Sequence, residues 1–222
     1  MISAPPLHAV VFDLDGLLFN TEDLYRDVGT EMLRRRGRHW TPELLDAMMG
    51  RPSAVALQIM IDWHRLDATV DELRKESDEI FGHLLDTQLA PMPGAIELLS
   101  ALEREGIPKA IGTSSGRAFV DNVLSRFQLE PRFEFVLTEE DVVQGKPHPE
   151  IYVTAAQRLS VSCGSMMVLE DSGNGCRAAV AAGAFVVAVP GEGSRKHAFD
   201  GVAFVADSLA DERIYRVLRI DT

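Results

Sequence analysis

Residues 11–22 read VFDLDGLLFNTE: an apolar run meets two aspartates one residue apart, then a glycine, then apolar residues again. The run AVVF (9–12) is uninterrupted and β-branched, the pattern of a strand buried on both faces. Asp13 and Asp15 therefore fall at its carboxyl end. Two like charges about 4 Å apart, at an effective dielectric near 20, repel by roughly 4 kcal/mol. A chain that places them together needs something cationic to offset them. Gly16 allows the backbone to turn away immediately afterwards.

Similar apolar runs recur along the chain: IPKAIG (107–112), FEFVL (133–137), MMVL (166–169), FVVAV (185–189) and VAFV (202–205). Helical patterns separate them near 94–105, 116–127, 148–160 and 173–182. This alternation predicts an α/β fold with a doubly wound, Rossmann-like parallel sheet. One connection breaks the rhythm, because residues 19–89 hold no convincing strand. TEDLYRDVGTEMLRRRG (21–37) reads as an amphipathic helix ending at Gly37. TPELLDAMMG (41–50) opens on a Thr-Pro entry signal and stops at Gly50. SAVALQIMIDWHRL (53–66) and TVDELRKESDEIFGHLLDTQL (69–89) continue in helix, the second behind a Thr69–Glu72 capping box. APMPG (90–94) closes the segment as a hinge. The expected organisation is an α/β core of residues 1–18 and 90–222 with a helical cap, 19–89, inserted after the first strand. An insert that leaves the sheet at the paired aspartates is placed to act as a lid.

The 222 residues are 46% hydrophobic and 25% charged, an ordinary globular composition. The net charge of −12 makes the chain a poor general ligand for nucleic acid or an anionic membrane, although a local pocket can still be positive. Cys163 and Cys176 form no CxxC pair, and a disulfide framework is not expected. MISAPPLHAV has no basic region followed by a long apolar one, so no signal peptide is read. The most apolar stretch, AAVAAGAFVVAV (178–189), is too short to span a bilayer. A cytoplasmic monomer is the expectation.

In open parallel sheets, ligands bind beyond the carboxyl ends of the strands. The second strand ends in GTSSGR (112–117), which delivers Thr113, Ser114 and Ser115 there. The fourth ends in LEDSGNG (169–175), which delivers Glu170 and Asp171. GKPHPE (145–150) places Lys146 just ahead of a helix. Four carboxylates on one edge need a counter-charge. Oxygen ligands with no nearby histidine or thiol favour a hard cation, Mg²⁺ over Zn²⁺. Lys146 adds a second positive charge, and hydroxyls at helix N-termini complete a phosphate cradle.

FDLDG, GTSS, GKPHPE and LEDSGNG, in that order, resemble the four motifs of the haloacid dehalogenase superfamily. The helical insert resembles its small-cap class, and the subgroup it is most similar to holds β-phosphoglucomutase and sugar-phosphate phosphatases. The resemblance implies that Asp13 is the nucleophile accepting a phosphoryl group. Asp15 would protonate the leaving oxygen and then deprotonate water. Thr113 and Lys146 would hold the phosphoryl oxygens, with Ser114 and Ser115 as further substrate contacts. Asp13, Asp171, Glu170 and the Asp15 carbonyl would bind Mg²⁺. The substrate would be a small phosphorylated metabolite. Arg51, in MMGRPS (48–53), is a candidate for a substrate hydroxyl or second acidic group, or else a surface arginine. Glu170 has a structural reading too, and Thr113 a helix-capping one. Asp15 argues against dehalogenation, because the family's dehalogenases lack that carboxyl. Tyr25 stands where the mutases carry a histidine, which disfavours a phosphosugar mutase. Leu17 and Asn20 also depart from the common pattern. A non-catalytic phosphometabolite binder is the third alternative.

Overall fold

The computed structural model describes residues 5–48 and 53–221. Among them the apolar runs form six strands: β1 (Ala9–Phe12), β2 (Lys109–Gly112), β3 (Val136–Leu137), β4 (Met166–Glu170), β5 (Phe185–Ala188) and β6 (Phe204–Val205). Every position of β1, β2 and β4 is buried, as a strand covered on both faces requires. The order is β3-β2-β1-β4-β5-β6, and every neighbouring pair is parallel. The chain winds outward from β1 to one side and then to the other, so the reversal falls between β1 and β4. Register aligns Phe12 with Ile111 on one side and with Leu169 on the other. The residues just past these positions are thereby brought level.

Two strands are shorter than their sequence patterns suggest. Of FEFVL, Phe133 closes a tight turn by donating its N–H to Glu130; Glu134 and Phe135 still exchange hydrogen bonds with Lys109 and Ile111, but the strand itself is only Val136–Leu137. β6 keeps only Phe204 and Val205. β2 holds a buried lysine, Lys109, whose ammonium meets Glu103 at 3.1 Å.

Residues up to Asn20 and from Ala90 onward form one compact unit, and Thr21–Leu89 form a second. The second is helical: α1 (Thr21–Arg35), α2 (Pro42–Met48), α3 (Ser53–His64) and α4 (Val70–Thr87). α1 begins with Glu22 and Asp23 and ends with Arg34 and Arg35, charges that complement its dipole. Arg35 and Arg36 both reach Glu76 of α4, at 3.2 and 2.6 Å. The Thr69–Glu72 capping box is formed at the start of α4.

In the first unit, α5 (Ala95–Arg104), α6 (Arg117–Arg126), α7 (Glu150–Arg158), α8 (Gly173–Ala181) and α9 (Glu212–Leu218) complete the order. Alternate strand residues, Ala9 and Val11, Met166 and Val168, Val186 and Ala188, pack with Ile151, Tyr152 and Ala155 of α7 and Cys176 and Ala179 of α8. That face of the sheet fixes α7 and α8 beside the carboxyl ends of β1 and β4. α9 has no counterpart in the sequence reading. No described helix is long and apolar enough to cross a membrane.

Candidate active site

Asp13 follows β1 directly, and its N–H donates to the Leu169 carbonyl at 3.0 Å, which keeps it in register with β4. The residue is only 6% exposed. Gly16 then takes φ +75°, which costs a glycine little, and donates its N–H to the Phe19 carbonyl. The loop is closed by apolar packing, with Leu17 and Phe19 buried. Leu17 packs, as its side chain suggested. Asn20 accepts the Ala90 N–H on its side-chain oxygen at 2.8 Å and donates its own N–H to the Ala90 carbonyl. It thus ties together the two points where the chain leaves and re-enters this unit.

Lys146 is the centre of the charge network. Its ammonium donates to Asp13 Oδ1 at 2.6 Å, to Glu170 Oε1 at 2.6 Å and to the Gly112 carbonyl at 2.9 Å. Burial alone would lower its pKa; Asp13 and Glu170 overcome that and hold it well above the ordinary lysine value. Glu170 is fully buried at the end of β4. Its Oε1 also accepts the Tyr152 hydroxyl at 2.8 Å. Its Oε2 accepts the Ser172 N–H and Oγ, each at 3.0 Å. Ser172 in turn caps α8 by accepting the Gly175 N–H. Asp171 is 2% exposed and receives Ser194 Oγ at 3.4 Å.

Asp15 is aimed at the β2 end. Its Oδ2 accepts Ser115 Oγ at 2.5 Å and Thr113 Oγ1 at 3.4 Å. Thr113 is buried, and its Oγ1 also accepts the Ser115 N–H. That bond lies ahead of α6, whose N-cap is Gly116 with no side-chain bond, so Thr113 does not cap the helix. Ser114 lies exposed beside them. Arg51 and most of MMGRPS lie outside the described residues. Tyr25, on α1, stacks on Phe81 of α4 with ring centroids 4.3 Å apart. Asp13, Asp15, Thr113, Ser115, Lys146, Glu170 and Asp171, from four separate stretches, are thus gathered at one sheet edge. Tyr152, Ser172, Gly175 and Ser194 join them and were not singled out from sequence. Of these only Ser172 left a signal, an N-cap serine ahead of a helix.

Ligand atoms of Asp13, Glu170 and Asp171 lie within 4.8 Å of one another. Among the described residues, three buried carboxylates face one buried ammonium. Burial pushes the Asp13 carboxyl up to about 8; Lys146 pulls it down, and Glu170 and Asp15 add to the rise. Lys146 alone therefore does not neutralise the cluster. An all-oxygen donor set with surplus negative charge fits a hard divalent cation such as Mg²⁺. With the phosphate-compatible donors Lys146, Thr113 and Ser115 alongside, the arrangement suits nucleophilic attack by a carboxylate on an anionic centre.

The family model described as haloacid dehalogenase-like hydrolase matches residues 10–189. The phosphorylated carbohydrates phosphatase of Thermotoga maritima is 31% identical over 177 residues, spanning 80% of this chain and 82% of its own. The bifunctional riboflavin kinase/FMN phosphatase of Arabidopsis thaliana is 31% identical over 206 residues; the match spans 92% of this chain but 54% of that protein, about half its length. A crystal structure of a HAD-family hydrolase from Deinococcus radiodurans R1, with bound phosphate and sodium, is 29% identical. It superposes with a TM-score of 0.80 and covers 96% of each chain.

Proposed function

The chain belongs to the haloacid dehalogenase-like hydrolases, and from that membership we propose a Mg²⁺-dependent phosphatase that cleaves a small phosphomonoester, a sugar phosphate or similar metabolite, through an aspartyl-phosphate on Asp13. The observation that carries this reading is the buried Asp13–Lys146–Glu170 network, with Asp15 two residues further on and held by hydroxyls. The phosphatase relative from Thermotoga maritima supports the substrate class.

Asp13 attacks phosphorus, and the bond from phosphorus to the ester oxygen breaks. Asp15 supplies the proton that the departing alkoxide takes up. Water then attacks the aspartyl-phosphate, Asp15 accepts its proton, and the Asp13–phosphorus bond breaks to release inorganic phosphate. Asp15 must release and regain one proton in each cycle, and its position between Ser115 and Thr113 gives the carboxyl a fixed orientation for both steps. Lys146 and Thr113 hold phosphoryl oxygens as charge moves from one bond to the other. Asp13, Glu170, Asp171 and the Asp15 carbonyl would hold Mg²⁺, which when bound screens the substrate's negative charge from the attacking carboxylate. The helical unit Thr21–Leu89, entered soon after Asp15, is assigned to substrate selection.

Purified protein should hydrolyse p-nitrophenyl phosphate with Mg²⁺ and lose activity with a chelator. Asp13→Asn should lower kcat at least about a thousandfold. Full activity in that variant would remove Asp13 as nucleophile. A panel of phosphorylated metabolites then identifies the substrate.

A further inference from the structure

Tyr152 lies on α7, six residues beyond Lys146, and is wholly buried among apolar side chains. A phenylalanine would serve that packing, so the hydroxyl calls for a separate reason. It donates to Glu170 Oε1 at 2.8 Å, the oxygen that also accepts Lys146. Its ring faces the same ammonium, 5.1 Å from the centroid.

All three ammonium N–H groups of Lys146 are engaged, by Asp13, Gly112 and Glu170. Lys146 can hold a phosphoryl oxygen only by giving one of these up. Gly112 offers a fixed backbone carbonyl, and Asp13 is the carboxylate proposed to react. Glu170 can be released at least cost, because Oε2 keeps Ser172 N–H and Oγ and Oε1 keeps Tyr152. Without the tyrosine hydroxyl, Oε1 would depend on Lys146 alone. A fully buried carboxylate oxygen would then lose its last donor whenever the lysine turned to substrate.

The geometry points to Tyr152 as a positioning residue: its hydroxyl satisfies Glu170 so that Lys146 can leave that carboxylate for a phosphoryl oxygen. This rests on the reading of Lys146 as the phosphoryl-binding cation. Inorganic phosphate binding, measured by calorimetry on the full chain with Mg²⁺, tests it without turnover. Tyr152→Phe should weaken phosphate binding roughly tenfold and raise KM for p-nitrophenyl phosphate by a similar factor. In a Glu170→Gln background, where the charge of Glu170 no longer holds the lysine, the same substitution should change phosphate affinity less than twofold. Affinity unchanged in Tyr152→Phe, or an equal loss in both backgrounds, overturns the proposal. A crystal structure with phosphate and Mg²⁺ tests it independently of any variant. Lys146 should contact phosphate and lie beyond about 3.5 Å from Glu170, with Tyr152 still bonded to Oε1. A lysine that holds phosphate while still bonded to Glu170 refutes it. Phosphate binding without hydrolysis would instead count against the phosphatase reading alone.

Discussion

Glu170 occupies space that Gly175 leaves empty. A Cβ built on Gly175 would overlap the Glu170 carboxylate, while the Gly175 N–H is tied to Ser172, the residue that also donates twice to Glu170. In an open helix, glycine to alanine gains up to about 1 kcal/mol. Here Gly175→Ala should instead destabilise by about 1–3 kcal/mol, because a buried carboxylate with four donors must move. It should also lower kcat on p-nitrophenyl phosphate, because Glu170 is one of the proposed Mg²⁺ ligands. Unfolding in urea and steady-state kinetics check both, and a stabilised, fully active variant would contradict the packing argument. The same residues show what the sequence could reveal. Asp13, Asp15, Lys146, Glu170 and Asp171 were readable as a group, since acids and a lysine at strand ends carry chemistry in their residue type. Tyr152 and Gly175 were not, because one reads as core and the other as a helix entry until Glu170 is placed between them. Ser194 comes from a loop far along the chain, and no periodicity leads to Asp171.

The elements follow local signals closely where those signals are strong. Thr69 and Glu72 bond reciprocally at the start of α4, with Thr69 N–H to Glu72 at 2.7 Å and Glu72 N–H to Thr69 at 3.2 Å. Thr69→Ala removes the hydroxyl that serves a helix N–H and should cost about 1 kcal/mol of stability in the helical unit. Thermal unfolding followed by circular dichroism measures it, and a change below about 0.3 kcal/mol would mean the cap frays in solution. Strands buried on both faces were legible from continuous apolar runs, and their parallel pairing from the α/β alternation. What failed to show was set by neighbours. FEFVL loses its first residues to a turn that Glu130 and Phe133 close, so hydrophobicity alone overstated the strand. α9 is short, and its apolar face consists of Ile214, Tyr215 and Leu218 scattered among charges. Gly29 sits inside α1 where a side chain would strike Trp40, a close approach from beyond the helix that α1's own periodicity does not announce.

At the scale of the whole molecule, a chain of net charge −12 concentrates a negative surplus in its interior, and this couples folding to pH and metal. The Asp13 carboxyl stands at about 8 in the metal-free fold against 3.8 for a free aspartate. Between roughly pH 4 and pH 8 the folded chain therefore binds more protons at this site than the unfolded one. Stability must fall as pH rises through that window. Carboxyls held below their ordinary value, such as Glu76 by Arg36 and Glu103 by Arg132, act oppositely but only at lower pH. Above about pH 5 these carboxyls no longer contribute, while His64, held below its ordinary value by burial, still acts against the Asp13 trend up to about pH 6.5. A bound divalent cation favours the ionised form, so Mg²⁺ should release protons on binding and bind more tightly at pH 8 than at pH 5.5. At a hundredfold excess over its Kd it should add about 2.7 kcal/mol, a rise of roughly 5–10 °C in the melting of the α/β unit. Scanning calorimetry in chelator and in Mg²⁺ at the two pH values measures this. In chelator the transition should drop as pH rises, and Mg²⁺ should raise it most at pH 8. Asp13→Asn carries no titrating group at that position, so it should lose the downward slope and most of the Mg²⁺ effect. A transition that is flat with pH in chelator, or that Mg²⁺ shifts equally in the variant, would show that Asp13 is not the group through which charge, metal and folding are linked.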